Sequence, residues 1–255
     1  MLHVNQLSKV YEGRVPYRAL TDIQLDIEEG EFVGIMGPSG SGKTTLLNII
    51  ATIDEASTGE VTIEGNNPHR LSKNELAKFR RQKLGFVFQD FNLLHTLTVE
   101  ENIVLPLTLD RAKVNDMKIK VEQIAKRLGI SEILQKRTFE ISGGQAQRVA
   151  VARAMIHDPK LVLADEPTGN LDSKASKDVM EMLKKLNEEQ ATTMMLVTHE
   201  AQAASYCDRV IFIQDGKLYT EIHQGDSRQV FFQKIIDTLS LMGGDDNDFS
   251  TLRPQ

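Results

Sequence analysis

The feature that most constrains this chain is an apolar run that passes directly into a glycine-rich turn and then into a helical pattern. The run Phe32–Met36 predicts a buried strand, and Thr44–Ile50 predicts a helix. Between them lies the sequence GPSGSGKT. Glycines let a backbone wrap around an anion with its N–H groups pointing inward, and a helix N-terminus adds partial positive charge. The sequence therefore predicts a strand, an anion-binding turn and a helix in succession.

This turn fits the P-loop pattern, in which a lysine reaches the β- and γ-phosphates of a nucleotide. Thr44 can place its hydroxyl on Mg²⁺, a hard cation that prefers oxygen ligands. A Gly/Ser turn that only caps a helix is the alternative, but the strand–turn–helix context favours nucleotide binding. The predicted phosphate-binding residues are Gly37, Pro38, Ser39, Gly40, Ser41, Gly42, Lys43, Thr44 and Thr45.

Two acidic residues end a second apolar run. Leu161–Ala164 predicts a buried strand, which is followed by Asp165 and Glu166. Side chains at the carboxyl end of a parallel strand face the ligand crevice of an α/β sheet. Asp165 can hold Mg²⁺ through water, and Glu166 can orient or deprotonate an attacking water. The alternative is an acidic turn before Pro167, which the nearby P-loop makes less attractive.

A second glycine pair opens another predicted helix, at Ser142, Gly143, Gly144 and Gln145. Ser142 is a good N-cap, and the two glycines leave their amides open to an anion. Arg148 and Arg153 follow on the same predicted helix and suggest local anion binding. Simple helix capping explains the pattern equally well. Since one P-loop already holds the phosphates, a second phosphate cradle needs a reason.

The order of these motifs resembles that of the ABC ATPase family, and the resemblance covers about residues 1–222. In that family the Ser-Gly-Gly-Gln signature binds the γ-phosphate of ATP held by a second subunit. The resemblance implies an α/β fold: a RecA-like P-loop NTPase core with an antiparallel β edge and an inserted helical subdomain. It also implies ATP and Mg²⁺ as cofactors, hydrolysis of ATP, and two partners: a second copy of the chain and a transmembrane permease.

Further family elements lie in register with these motifs. Gln89 resembles the Q-loop glutamine, which senses Mg²⁺ and the permease, and Gly169–Asp172 resembles the D-loop. His199 resembles the switch histidine that contacts the γ-phosphate. The resemblance thus implies Glu166, His199 and Gln89 as catalytic residues, with Thr44, Gln89 and Asp165 at the metal. Tyr11 resembles the aromatic that stacks on adenine, although Tyr17 could take its place.

The remaining pattern gives the expected organisation. An ABC ATPase domain should span residues 1–222, with its helical subdomain at about 91–141, and a C-terminal helix and acidic tail should occupy 223–255. Short apolar runs predict strands, and amphipathic periodicity predicts helices. The further predicted elements are a buried strand at Met194–Val197, an antiparallel strand at Val61–Gly65, a hairpin at Asp208–Tyr219, and helices at Val114–Leu128 and Arg228–Leu241.

Composition excludes several classes of protein. The 255 residues carry a net charge of -6, so no bulk basic field attracts nucleic acid. Cys207 is the one cysteine, which rules out an internal disulfide and fits a reducing compartment. No apolar run approaches the roughly 20 residues of a membrane helix. A permease should therefore supply any spanning part, with this chain peripheral at the cytoplasmic face of the cell membrane.

A narrower resemblance concerns the transported substrate. Pro167–Asp172 and Val197–Glu200 resemble the branch of lipoprotein-release and macrolide-export ATPases. Asn48–Asp54 and Phe231–Asp237 resemble its bacitracin-export type, which confers resistance to antimicrobial peptides and signals with a histidine kinase. Two rivals are non-transport ABC proteins of DNA repair or translation and a membrane regulator that moves no substrate. Repair members carry a long coiled coil and translation members carry two cassettes, and this sequence has neither. The ATPase sequence does not distinguish a transporter subunit from the subunit of a membrane regulator.

Overall fold

The computed structural model describes residues 1–243, so the predicted acidic tail after Gly243 lies outside the described residues. The predicted strands and hairpin form with bounds that agree to within a few residues, whereas the strands at 2–11, 17–27 and 84–88 were not predicted. The strands are β1 (Leu2–Tyr11), β2 (Tyr17–Ile27), β3 (Phe32–Met36), β4 (Thr58–Ile63), β5 (Leu84–Phe88), β6 (Leu161–Asp165), β7 (Thr193–Val197), β8 (Arg209–Gln214) and β9 (Lys217–His223).

The strands build two sheets. The larger has the order β5-β6-β7-β3-β8-β9, and its strands are parallel except β9, which returns antiparallel to β8 through the turn at Asp215 and Gly216. The smaller sheet, β2-β1-β4, is antiparallel. The parallel core with an antiparallel β edge is therefore confirmed.

Helices cover the large sheet. Residues 91–141 contain two of them and short 3-10 turns, which agrees with a predicted helical region, and the helices at 114–128 and from Arg228 are confirmed. No helix within residues 1–243 is long and apolar enough to cross a bilayer. The helices are α1 (Lys43–Ile50), α2 (Lys73–Lys83), α3 (Val99–Leu109), α4 (Val114–Leu128), α5 (Gly143–Met155), α6 (Ser173–Gln190), α7 (Ala201–Ala204) and α8 (Arg228–Gly243).

The parallel strands are buried on both faces of the sheet. Because successive side chains point to opposite faces, one strand contributes to two cores. In β3, Phe32 and Met36 join a core formed with α3 to α8, whereas Val33 and Ile35 join a second core with α1 and the small sheet. Cys207 is fully buried in the first core, as expected of a small hydrophobe.

Strand register brings the predicted site residues to one edge of the sheet. Phe88 pairs with Asp165, Asp165 with Val197, and Val197 with Ile35. The segments that follow these positions therefore leave the sheet side by side at its carboxyl edge, where α/β proteins bind ligands. They carry the glutamine, the acid pair, the histidine and the P-loop.

Candidate active site

The P-loop adopts backbone conformations that glycine permits and other residues resist. Gly37 has φ 153° and Gly42 has φ 104°. A Cβ atom at Gly37 would lie 2.0 Å from the carbonyl oxygen of Ile213, and one at Gly42 would lie 2.6 Å from that of Ala19. A Cβ at Gly40 would meet nothing within 4 Å. Neighbouring backbone therefore fixes the loop from outside and leaves its tip open.

The loop and the start of α1 form the wall of a cavity that suits the phosphates of a nucleotide. The first amides of α1 have no acceptor inside the helix, and they add the positive end of its dipole. The cavity measures about 650 Å³. It is lined by Gly37, Pro38, Ser39, Gly40, Lys43, Thr44, Glu166, His199, Leu239, Met242 and Gly243.

Lys43 lies at the centre of a group of opposing charges. Its Nζ donates to the carbonyl oxygens of Gly37 and Pro38, at 2.9 Å each. Burial lowers the pKa of Lys43, and the charges of Glu166 and Asp165 act in the opposite direction. Burial also raises the pKa of Asp165, with the charge of Glu166 adding to the effect and that of Lys43 opposing it. Two carboxylates and one ammonium therefore share a partly desolvated site that a polyphosphate with a cation can complete.

The carboxylate of Glu166 is held in place from two sides. Its Oε1 accepts hydrogen bonds from the His199 amide at 3.1 Å and from His199 Nδ1 at 2.8 Å. Its Oε2 accepts one from the Thr198 hydroxyl at 3.1 Å. The Glu166 backbone has φ 45°, and its amide bonds to the carbonyl of Val197 at 2.9 Å. The left-handed backbone and the three hydrogen bonds that the carboxylate accepts fix one orientation for it.

Thr198 is a residue that the sequence analysis missed. It is fully buried, and its Oγ accepts a hydrogen bond from the Glu200 amide at 3.0 Å. Because a lone pair of Thr198 Oγ accepts that bond, the hydroxyl hydrogen can be donated to Glu166. The only available signal was a hydroxyl residue between a buried strand and His199, which is a common pattern at strand ends.

Gln89 lies against the segment that resembles the D-loop. Its Nε2 donates to Asn170 Oδ1 at 3.3 Å, and Asn170 Nδ2 donates in turn to the Gln89 carbonyl at 3.2 Å and to Asp90 Oδ1 at 2.7 Å. A Cβ at Gly169 would lie 2.9 Å from Gln89 Nε2. The two segments, 80 residues apart, are thus held as one unit, which the sequence alone did not indicate.

The signature segment begins α5 with a reciprocal cap. The Ser142 amide donates to Gln145 Oε1 at 2.9 Å, and the Gln145 amide donates to Ser142 Oγ at 3.3 Å. Ser142 and Gly143 are exposed, and residues 142–145 do not line the phosphate cavity of their own chain. Within one chain the structure therefore separates the two predicted phosphate-binding segments.

Two tyrosines flank the P-loop. Tyr11 is 39% exposed, and its hydroxyl donates to Asp54 Oδ2 at 2.8 Å. Tyr17 is 55% exposed and donates to the carbonyl of Gly40 at 3.2 Å. Neither ring is buried in the core, and Lys9 Nζ lies 4.7 Å from the centroid of the Tyr11 ring. The contact of Tyr11 with adenine stays a prediction.

The expectation of anion binding at Arg148 and Arg153 is wrong. Arg148 donates to the Leu128 carbonyl at 3.1 Å. Arg153 donates to the carbonyls of Asn92 at 2.5 Å and Phe91 at 2.8 Å. Arg148 also pairs with the Asp178 carboxylate of α6 at 3.6 Å. Both guanidinium groups therefore bind α5 to neighbouring parts of the chain, where these oxygens take the place of an external anion.

Comparison with known proteins agrees with this geometry. Residues 20–169 match the family model described as "ABC transporter". The ABC transporter ATP-binding protein YxdL of Bacillus subtilis is 60% identical over 99% of this chain and 98% of its own length. The bacitracin export ATP-binding protein BceA of Halalkalibacterium halodurans is 50% identical over 97% and 99%. The lipoprotein-releasing ATP-binding protein LolD 1 of Rhodopseudomonas palustris is 42% identical over 86% and 98%.

A solved structure supports the same assignment. The dimeric ATP-binding cassette MJ0796, in a post-hydrolysis state bound to ADP and Pi, superposes with a TM-score of 0.81. It is 41% identical and covers 89% of this chain and 100% of its own. Fold, motif order and full-length relatives agree, and the suspected family is confirmed. The chain belongs to the ABC transporter family, as an ATP-binding subunit that hydrolyses ATP.

Proposed function

We propose that two copies of this chain enclose ATP between them, with residues 142–145 of each copy covering the phosphate cavity of the other. The observation that carries this proposal is the separation of the two phosphate-binding segments within one chain. The P-loop, Glu166, His199 and the end of α8 line the cavity, whereas Ser142 and Gly143 at the start of α5 are exposed outside it. A second copy would complete both sites at once, and the structure of the relative MJ0796 bound to ADP and Pi is dimeric.

The residues at the cavity then divide the reaction between them. Lys43 releases the carbonyls of Gly37 and Pro38 and neutralises the β- and γ-phosphates. Glu166, oriented by Thr198 and His199, takes the proton of the attacking water, and His199 contacts the γ-phosphate. Catalysis in phosphoryl transfer comes mainly from such positioning and electrostatics.

We assign Mg²⁺ to Thr44, Asp165 and Gln89. The donor set is all oxygen, which suits a hard cation. Burial and the neighbouring Glu166 raise the pKa of Asp165, so a divalent cation relieves an existing repulsion between two carboxylates. When bound, Mg²⁺ neutralises charge that develops on the phosphate oxygens.

A groove lined by Phe88, the residue before Gln89, suits a permease segment. It has a volume of about 360 Å³ and lies between β5 and α3. Most of its lining is apolar, which favours the apolar face of an amphipathic helix. On this proposal the chain lies against the cytoplasmic face of the membrane. The apolar lining includes Phe86, Phe88, Leu105, Pro106 and Leu109, and the arginines that also line the groove, Arg80, Arg81 and Arg153, have partners within the chain.

We infer that the transporter exports or displaces antimicrobial peptides such as bacitracin. Support comes from the 50% identity to BceA over nearly the whole of both chains. On this proposal the permease also passes a resistance signal to a sensor histidine kinase. Export of a lipoprotein- or macrolide-type substrate is the second candidate, supported by the 42% identity to LolD 1.

The substrate proposal is tested by deleting the gene and measuring inhibitory concentrations for a panel of cell-wall-active peptides. We expect sensitivity to at least one peptide, restored by the wild-type gene and not by Lys43→Ala. The matched control is a macrolide panel on the same strains. Unchanged peptide sensitivity with normal expression refutes the proposal, and a change confined to macrolides favours the second candidate.

A further inference from the structure

Helix α8 presents a row of partly exposed apolar side chains that the proposed function does not use. Phe232, Ile236 and Leu239 are spaced by four and three residues, so at about 100° per residue they share one helix face. The adjacent face of α8 is buried through Phe231 and Ile235. The three side chains pack only partly against that core. We call them the α8 stripe.

The α8 stripe lies beside two cavities. Leu239 lines the phosphate cavity together with the P-loop and His199. Phe232 and Ile236 line a neighbouring cavity of about 340 Å³, whose other wall includes Leu171 from the D-loop-like segment. The stripe therefore runs from that segment to the mouth of the phosphate cavity.

The occupant that fits this position is a second copy of the chain. A copy whose residues 142–145 cover the phosphate cavity has to approach the wall that Leu239 forms. The signature segment lies close to the cavity at the other end of the stripe, because a Cβ at Gly143 would lie 3.5 Å from Leu171 Cδ2 and Leu171 lines that cavity in the same chain. Both ends of the stripe are thus continuous with the surface that the proposed dimer uses.

The opposite face of α8 provides a contrast. Leu241 is 75% exposed and Val230 is 56% exposed, yet neither lines either cavity. At 100° per residue Leu241 points about 160° away from Leu239. Burial of partly exposed apolar surface is favourable in proportion to its area. Contact with a second copy is therefore stabilised by burial of the α8 stripe, whereas Leu241 stays exposed to water.

We propose that the α8 stripe is part of the ATP-dependent interface between two copies of this chain, and that it is buried when ATP closes the pair. This inference rests on the proposed ATP-enclosed dimer. It adds a contact that is made by α8, outside the motifs that hold the nucleotide.

The test uses full-length chain carrying Glu166→Gln, which should retain ATP. Dissociation constants of the dimer are measured by sedimentation velocity with and without Mg-ATP, for this parent and for parent plus Leu239→Ser, Ile236→Ser or Leu241→Ser. Binding of a fluorescent ATP analogue to dilute monomer shows whether each site still holds nucleotide. We expect Leu239→Ser and Ile236→Ser to raise the dimer dissociation constant about tenfold or more, and Leu241→Ser to change it less than about threefold.

Hydrogen exchange on the parent gives an answer that does not depend on a substitution. We expect amides of residues 232–243 to gain protection with Mg-ATP above the dimer dissociation constant and not below it. Equal effects of Leu239→Ser and Leu241→Ser, tighter dimers in the stripe variants, or unchanged exchange in the dimer each overturn the inference. A parent that stays monomeric with bound ATP overturns the proposed dimer as well, which separates the two failures.

Discussion

Glu166→Gln separates binding from hydrolysis because the structure shows that the substituted side chain can keep its place. The glutamine carbonyl can accept from the His199 amide and Nδ1, as Glu166 Oε1 does now. Its NH₂ group then faces Thr198, whose Oγ can turn its hydrogen away and accept. The fold should lose about 1–3 kcal/mol, the cost of leaving the buried Thr198 hydroxyl hydrogen without an acceptor. What is lost entirely is the carboxylate that takes a proton from water.

Loss of a catalytic group on this scale costs about 3 kcal/mol or more, so turnover should fall by roughly two orders of magnitude. Phosphate release measures turnover, and a fluorescent ATP analogue measures binding, which should stay within about threefold because Lys43, Thr44 and Asp165 are unchanged. Glu200→Gln is the matched control: its carboxylate accepts from the Thr168 hydroxyl at 2.9 Å and does not line the phosphate cavity. Normal hydrolysis by Glu166→Gln, or an equal loss in Glu200→Gln, refutes the assignment.

Substitutions at four further positions test other parts of the account. Lys43→Ala should abolish phosphate release and weaken ATP binding while its circular-dichroism melting stays near wild type, since Lys43 is not a core residue; near-normal activity contradicts the phosphate role. Thr198→Val should lower kcat about tenfold with KM little changed, and Thr198→Ser should restore it; equal kcat in both contradicts the positioning of Glu166. Gly37→Ala should lower the free energy of unfolding by several kcal/mol, because its Cβ meets the Ile213 carbonyl at 2.0 Å; an unchanged urea midpoint contradicts that clash. Burial lowers the pKa of His157, so protonation favours the unfolded chain. The free energy of unfolding should therefore decline as pH falls below about 6.5, the usual pKa of histidine. His157→Gln should flatten that decline, and an identical pH profile in the variant contradicts this reasoning.

The sequence predicted the parts of the fold that depend on local pattern. The strand Phe32–Met36 and the helix Val114–Leu128 follow from an apolar run and a 3.6-residue period, and both have the predicted bounds. The P-loop is predictable for the same reason: its glycines, lysine and threonine are consecutive, so one short segment supplies the whole cradle.

Contacts between distant segments could not be predicted in this way. The pairing of Gln89 with Asn170 and the hydroxyl of Thr198 on Glu166 depend on strand register, which no local pattern specifies. For Arg148 and Arg153 the sequence predicted anion binding, which the structure does not support. Their position after an anion-binding segment suggested a ligand, but carbonyl oxygens of the helical region take their donors.

The most direct test of the composite site mixes two inactive chains. The Lys43→Ala chain lacks the ammonium group that contacts the phosphates, but its residues 142–145 are intact. The Ser142→Arg chain has an intact P-loop, but the arginine side chain blocks its signature segment. Each chain alone should hydrolyse ATP at background rates. If residues 142–145 of one copy complete the cavity of the other, the mixture contains one intact site per mixed dimer, and phosphate release should recover to a substantial fraction of the wild-type rate measured in the same assay. If each chain holds a complete site, the mixture stays at the sum of the two inactive rates, and the account is contradicted.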